Sequence, residues 1–430
     1  MKIVIGSNSP FTNSGYGTQS YFFCKALLEA GHEITFLAWN ISGSEALRYK
    51  KMDYETMKKI SLDSQCFDKD ALEEKEDVCK RMSYYTCIYE NFPCLINVDD
   101  VNKLLKMEEA DMYIYLLDVW IIEPNKKFCC PSMTWLPLHF SPLEETTKAI
   151  LPTFDKIIYM CEFGKQVVNE SLPELNVMKE PIIPHFIDYD YLYNNINKYD
   201  REYFRDEIGI SKIETETNEK VFLVSVVARN AEESNRKYLD LSIQSFKILL
   251  DKYPELNPYL YIHTTLMGKV DLVKCIQYFG VPIDKIIIPD QLKLSRSGYK
   301  TEYMCGIYLG SDVLLATTGS EGFGLPILEA QLLGCPVVTT KCTAMLDYLY
   351  NGEYIDVLDD KFVYANTSFW YLPDIFDIPI KIMKVANRTA EENKKMREYG
   401  IKMIKDNFSI ETVGGKWLKE ISKFDKKICN

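Results

Sequence analysis

The chain has 430 residues, 47% of them hydrophobic and 26% charged, with a formal net charge of −12. Its 20 Gly and 18 Pro exclude collagen-like and low-complexity classes, and no run approaches the roughly 20 apolar residues of a membrane-spanning helix. Residues 1–190 carry a net charge of −10 and the remainder −2, so neither half offers the clustered Lys/Arg of a nucleic-acid surface or an obvious attraction to an anionic membrane.

The length suggests two domains of about 200 residues each. Lys2 to Ile5 is apolar and β-branched and reads as a buried first strand, not as a signal peptide. The loop SNSPFTNSGYG follows, then a helix from Thr18 to Ala30 closed by Gly31, then a strand from Glu33 to Ala38. This order opens a doubly wound parallel sheet. Residues 41–109 lack that regularity; Lys50 to Asp77 is charged and helical in pattern and reads as a surface insertion. Strands are expected at Asp111–Val119, Met133–Leu138, Asp155–Met160 and Pro181–Pro184, with a helix at Phe163–Ser171. The polar stretch Tyr189–Lys220 reads as an inter-domain linker with a short helix near Arg201–Ile208.

A second alternating pattern then begins. Strands are expected at Val221–Ala228, Tyr259–Thr264, Lys285–Ile288, Val313–Ala316 and Pro336–Thr339. Helices are expected at Asp240–Tyr253 and Leu325–Leu333, as one long element at Ile380–Asn407, and last at Thr412–Ser422 with Trp417. The thirteen Cys are odd in number, scattered and without a CxxC pair, which fits reduced thiols in a cytoplasmic protein.

Three segments carry chemistry. Gly319 to Thr340, GSEGFGLPILEAQLLGCPVVTT, reads strand, glycine-rich turn, helix, strand. Gly322 and Gly324 let backbone N–H groups approach a ligand, and the helix starting near Pro326 turns its positive end to the same point. That suits a diphosphate or hydroxyls. Glu321 lies on the turn and Glu329 follows it by eight residues, one turn into the helix, where a carboxylate can accept from a diol. The second segment, VVARNAEESNRK, puts Arg229, Arg236 and Lys237 just after a strand. The third, WLPLHFSP, puts His139 at the carboxyl end of another. Weaker signals are Gly15 and Gly17 before the first helix with Thr18 and Gln19 behind them, Pro289-Asp290-Gln291, and a DxD at Asp188-Tyr189-Asp190. Of the remaining histidines, His32 reads as a surface residue, His185 as structural or cleft-lining, and His263 as packed or cleft-lining.

The Glu321–Val338 string, EGFGLPILEAQLLGCPVV, resembles the E-x7-E segment of retaining GT-B glycosyltransferases of family 4 (glycosyl transferases group 1). The resemblance is tight over residues 221–345, fair over 1–40 and 111–190, and absent over 41–110. It implies two Rossmann-like, doubly wound α/β domains facing a central cleft: 1–195 on the acceptor side, rejoined by a returning helix at 412–430, and 196–411 binding the nucleotide-sugar. It implies a sugar transferred with retention from a nucleoside-diphosphate donor, UDP- or GDP-linked, to an acceptor hydroxyl of a glycan, lipid or protein-linked glycan. Glu329 would hold the ribose, and Arg229 with Lys237 or Arg236 the diphosphate; the loop between Arg229 and Lys237 is about three residues longer than usual in the family, which leaves those last two open. Glu321 and the Gly322–Phe323–Gly324 backbone would meet the sugar, His139 would contact it from the first domain, and Gly15 and Gly17 would face the phosphates and acceptor. No metal and no cofactor beyond the co-substrate are implied. Other GT-B reactions (epimerisation, phosphorolysis) and a non-catalytic binding protein on the same fold remain the alternatives.

Overall fold

The computed structural model describes all residues except 13, 40–49, 64–72, 74, 87–95, 195–199, 231–234, 297, 365–367 and 429–430. The chain divides into two compact units. One holds residues 1–186, Ser368 and the chain from Ile410 onward; the other holds the rest of 187–409.

The first unit is built on six parallel strands: β1 (Lys2–Ser7), β2 (Glu33–Ala38), β3 (Ser83–Thr86), β4 (Met112–Leu116), β5 (Ser132–Leu136) and β6 (Lys156–Tyr159), in the order β3-β2-β1-β4-β5-β6. The strands are buried along almost their whole length, as expected of a parallel sheet covered on both faces. The helix Gly15–Glu29 follows β1, and Gly31, at φ +85, ends it in the left-handed conformation that suits glycine. The last helix, Ile410–Ile428, packs on Gly15–Glu29. Its Trp417 is fully buried, with its ring 4.6 Å from Phe23 and 5.1 Å from Trp135, and Glu420 takes a 2.7 Å ion pair from Lys156.

The second unit repeats the plan with β7 (Phe222–Val227), β8 (Pro258–His263), β9 (Ile286–Ile287), β10 (Val313–Ala316), β11 (Val337–Thr340) and β12 (Gly352–Ile355), all parallel, in the order β12-β11-β10-β7-β8-β9. A two-stranded sheet, β13 (Val357–Tyr364) and β14 (Ser368–Pro373), is added. In each unit the strand order reverses once, between β1 and β4 and between β7 and β10. The carboxyl ends of the strands beside such a reversal are where this architecture binds ligands.

Four expectations are corrected. Residues 41–110 are not only an insertion: they supply the edge strand β3 and the helix Val98–Met107, and Tyr54 and Met57 are buried. Within that stretch, residues 41–49, 64–72, 74 and 87–95 lie outside the described residues. Pro181–Pro184 makes a single bridge, Ile182 to Tyr159, because the prolines at both ends have no N–H to extend a ladder. Tyr189–Lys220 is not a bare linker: besides the expected short helix, Arg201–Glu207, it carries the helices Tyr189–Asn194 and Ile210–Thr217, with Phe204 buried edge-on to Tyr261 and Tyr303. Ile380–Asn407 is two helices, Asp377–Ala386 and Ala390–Phe408. A capping box starts the second: Thr389 Oγ1 accepts from Glu392 N, and the Glu392 carboxylate accepts from Thr389 N. The sequence reading also lacked the helices Leu272–Phe279 and Thr301–Gly310 and the β13–β14 pair.

Candidate functional site

In the second unit the chain leaves β7 at Val227 and β10 at Ala316, on either side of the strand reversal. Backbone and hydroxyl bonds then lace the two loops together. Thr317 Oγ1 lies 3.1 Å from the Lys237 carbonyl and 3.0 Å from that of Tyr238, and Gly319 N donates to Arg236 O at 2.8 Å. Gly319 is there because nothing larger fits: a Cβ would stand 2.5 Å from the Tyr238 ring and 2.9 Å from the Tyr371 carbonyl. Tyr238 holds a left-handed φ of +45 at the start of the helix Leu239–Lys252.

This lacing sets Glu321 against the two basic side chains. Lys237 Nζ bonds to Glu321 Oε1, and Arg236 Nη1 reaches Oε2 at 3.2 Å and also donates to the Ser320 carbonyl. All three side chains are largely buried, between 12% and 19% exposed. Burial alone would raise the Glu321 pKa. The charges of Lys237 and Arg236 outweigh it and hold the carboxyl at about 2. Glu321 N donates to Thr343 Oγ1 at 2.9 Å, which anchors the turn from the far side. Ser320 Oγ is buried and has no hydrogen-bond partner among the described residues.

Gly324, at φ +91, precedes the helix Leu325–Leu332, whose first turn carries Pro326 and whose start has no side-chain cap. Its first N–H groups therefore keep the partial positive charge of a helix start. Glu329 lies in this helix, half-buried, and accepts from Tyr308 Oη at 3.1 Å. Burial raises its pKa, against the lowering effect of that hydroxyl. The side chain of Phe323 is core rather than ligand-facing: it is 5% exposed, 5.0 Å from the Tyr348 ring and 6.0 Å from Phe408. Only its backbone is left for a ligand. Arg229 is exposed just beyond β7. The long loop expected between it and Lys237 falls on residues 231–234, outside the described residues.

The second unit thus brings Arg236, Lys237 and Glu321 together, with Gly324 3.8 Å from Glu321 Cγ if a Cβ is placed on it. The other two candidate sets lie in the first unit. His139 follows β5, half-buried, with its ring edge-on to Phe140 at 5.2 Å. Gly15 is exposed at the start of the first helix. Gly17 and Gln19 are both engaged within the first unit. Gly17 N donates to the N-cap Ser14 Oγ at 3.2 Å, and a Cβ on Gly17 would fall 2.2 Å from the Thr12 carbonyl. Gln19 is fully buried and clamps the Phe186 backbone with both amide atoms, at 2.9 and 2.6 Å.

The remaining candidates are built into the fold. His185 is buried edge-on to Trp135, and burial lowers its pKa to about 3. His263 ends β8 among Tyr261, Tyr299 and Tyr303, with Nδ1 3.0 Å from Tyr261 Oη; burial lowers it to about 4. His32 is half-buried after the first helix. Asp188 accepts from Tyr191 N at the start of Tyr189–Asn194, and among the described residues no three His, Cys, Asp or Glu side chains cluster as metal ligands. Asp290 caps the helix Gln291–Arg296, and Gln291 bonds to Leu266 N and to the Thr264 and Pro289 carbonyls. The sequence reading missed Thr317, Tyr238, Tyr308 and Thr343, which fix this site; only Tyr238 directly adjoined a recognised motif. No helix among the described residues is long and apolar enough to cross a membrane.

Three comparisons bear on this arrangement. A glycosyltransferase from Rickettsia africae ESF-5 is 14% identical over 99% of this chain and 98% of its own, with a TM-score of 0.66. HepE of Anabaena, solved in complex with UDP and glucose, is 14% identical over 98% and 100%, with a TM-score of 0.64. An E. coli structure described as trehalose-6-phosphate bound with UDP-2-fluoro glucose is 13% identical over 98% of each chain, with a TM-score of 0.67. A curated relative, the uncharacterized glycosyltransferase 335 of Sulfolobus islandicus rod-shaped virus 1, is 29% identical over 110 residues, which is 24% of this chain and 28% of that relative's length. Residues 210–402 match the family model described as Glycosyl transferases group 1. The chain has the GT-B fold, and the segment that matches the glycosyl transferases group 1 model lies in its second unit.

Proposed function

We propose that the protein is a retaining GT-B glycosyltransferase of family 4 that moves a sugar from a nucleoside-diphosphate donor to an acceptor hydroxyl, without a metal. The observation that carries this reading is the cluster at the strand reversal of the second unit: Arg236 and Lys237 both paired with Glu321, beside Gly324 and an uncapped helix start. It supplies two cations and a helix end for a diphosphate, and a carboxylate eight residues on for a diol. The family match over residues 210–402 supports the same assignment. UDP appears with two of the structural relatives, which makes UDP-sugars the first donors to try.

In this reading Glu329 accepts from the ribose hydroxyls. Arg229, Lys237 and Arg236 neutralise the diphosphate, whose departure is aided by charge fixed in advance. The Gly322–Gly324 backbone and Glu321 meet the sugar, and His139 is the contact contributed by the first unit, on the strength of the resemblance alone. A front-face attack, in which the leaving phosphate takes the acceptor proton, needs no protein nucleophile.

A thermal-shift panel with UDP, GDP, ADP and CDP, each with and without EDTA, tests the donor site. One nucleotide at about 100 times its Kd should stabilise by roughly 2.7 kcal/mol, with no effect of EDTA. No shift with any of the four removes the donor assignment; a shift that EDTA abolishes removes its metal independence. Product NMR then reads the anomeric configuration, where inversion excludes the retaining assignment. Turnover without an acceptor would point to epimerisation, and consumption of free phosphate to phosphorolysis.

A further inference from the structure

Arg236 and Lys237, the groups given above to the donor diphosphate, are both engaged by Glu321, one carboxylate oxygen on each. That is the pattern in which a phosphate presents two oxygens to two cations. The engagement is built in. The Glu321 turn is fixed by Thr343 on one side, and the Arg236–Lys237 backbone by Thr317 and Gly319 on the other. The three side chains are at most 19% exposed, and cations so sheltered are costly to leave without a counter-charge.

We propose that Glu321 is an internal stand-in for the donor's diphosphate, and that donor binding is an exchange in which phosphate oxygens replace the Glu321 carboxylate on Lys237 and Arg236. This rests on the nucleotide-sugar reading of the second unit and adds a self-competition to it. The two cations stay paired before and after, so the pocket never holds them uncompensated. Only a ligand with several anionic oxygens can make the exchange; a nucleoside without phosphate leaves Glu321 where it is. The same carboxylate is released on the glycine turn only once a diphosphate has arrived.

The test is calorimetric binding of UDP, GDP, ADP and inorganic pyrophosphate to the full chain and to Glu321→Gln, Glu321→Asp, Lys237→Met and the double variant Glu321→Gln/Lys237→Met, with thermal melts confirming that each is folded. The diphosphate that binds the native protein should bind Glu321→Gln about tenfold tighter, because a charge-assisted competitor has gone. Pyrophosphate should gain similarly, and the gain should shrink when Lys237 is Met, because Arg236 alone is then left to exchange. Glu321→Asp, one methylene short of spanning both cations, should gain less and serves if the Gln variant does not fold. Unchanged or weaker diphosphate binding in a folded Glu321 variant overturns the exchange while leaving the nucleotide site intact. A gain of undiminished size with Lys237→Met assigns the effect to general charge and overturns it too. No diphosphate bound by any of the proteins overturns both readings.

Discussion

Glu321 and Glu329 are the same residue type in one motif, and their surroundings push them apart. Both feel burial; Glu321 is pulled far down by Lys237 and Arg236, whereas Glu329 has one Tyr308 hydroxyl and stays raised. Glu329→Ala should weaken binding of the cognate nucleotide about 10- to 150-fold, the worth of a charge-assisted pair, read by calorimetry; unchanged affinity would remove Glu329 from the site. Because its pKa is raised, protonation begins above the ordinary carboxylate range, so nucleotide affinity should fall on acidification earlier than an exposed Glu would cause. Tyr308→Phe removes the group that lowers this pKa, and the acid limb should then move to higher pH. The sequence announced both carboxylates and the glycines between them. It did not announce what each faces: Tyr308 lies 21 residues before Glu329 and Thr343 22 after Glu321, on other elements, and no periodicity encodes that meeting. Gly17 was legible as a glycine before a helix; that close packing requires it follows only from the Thr12 carbonyl beside it.

At the scale of elements, the strands that hold the site were legible because a buried parallel strand is a continuous apolar run. Val221–Ala228 and Val313–Ala316 needed little adjustment. What escaped were short or interrupted elements. Ser83–Thr86 has only four residues, in a stretch without regular alternation, and it is held as a strand by pairing with β2. The break at Asn387–Thr389 hid in a charged stretch, although Thr389 and Glu392 stand at capping-box spacing. The final helix shows the opposite case, with Trp417 as its visible anchor. Trp417→Ala removes a fully buried indole packed on Phe23 and Trp135 and should destabilise the first unit by about 3–5 kcal/mol, measured by urea unfolding. Gly17→Ala should cost that unit about 1–3 kcal/mol through overpacking against Thr12. A native-like midpoint in either variant would contradict the packing described.

Over the whole molecule the two units share a strand order and a single reversal, and each also buries one neutral histidine: His185 beneath Trp135 in the first, His263 among three tyrosines in the second. Burial lowers their pKa values from 6.5 to about 3 and about 4. The sign of the linkage follows. Below pH 6.5 the unfolded chain takes up a proton at each site that the folded chain refuses, so stability falls as pH drops, until the folded values are reached. Each histidine contributes a slope of about 1.4 kcal/mol per pH unit once the unfolded side chain is fully protonated. Between pH 6 and 5 most carboxylates are still ionised in both states, so their titration does not mask the effect there. Native protein should therefore lose urea resistance steadily over that interval, despite a net charge of −12 whose self-repulsion eases on acidification. His185→Phe, which keeps an aromatic ring against Trp135, should flatten the decline seen by a probe in the first unit and leave the second unit's decline in place. His263→Phe should do the reverse. A decline of the same slope in the double variant would assign the acid sensitivity to other groups and refute this linkage.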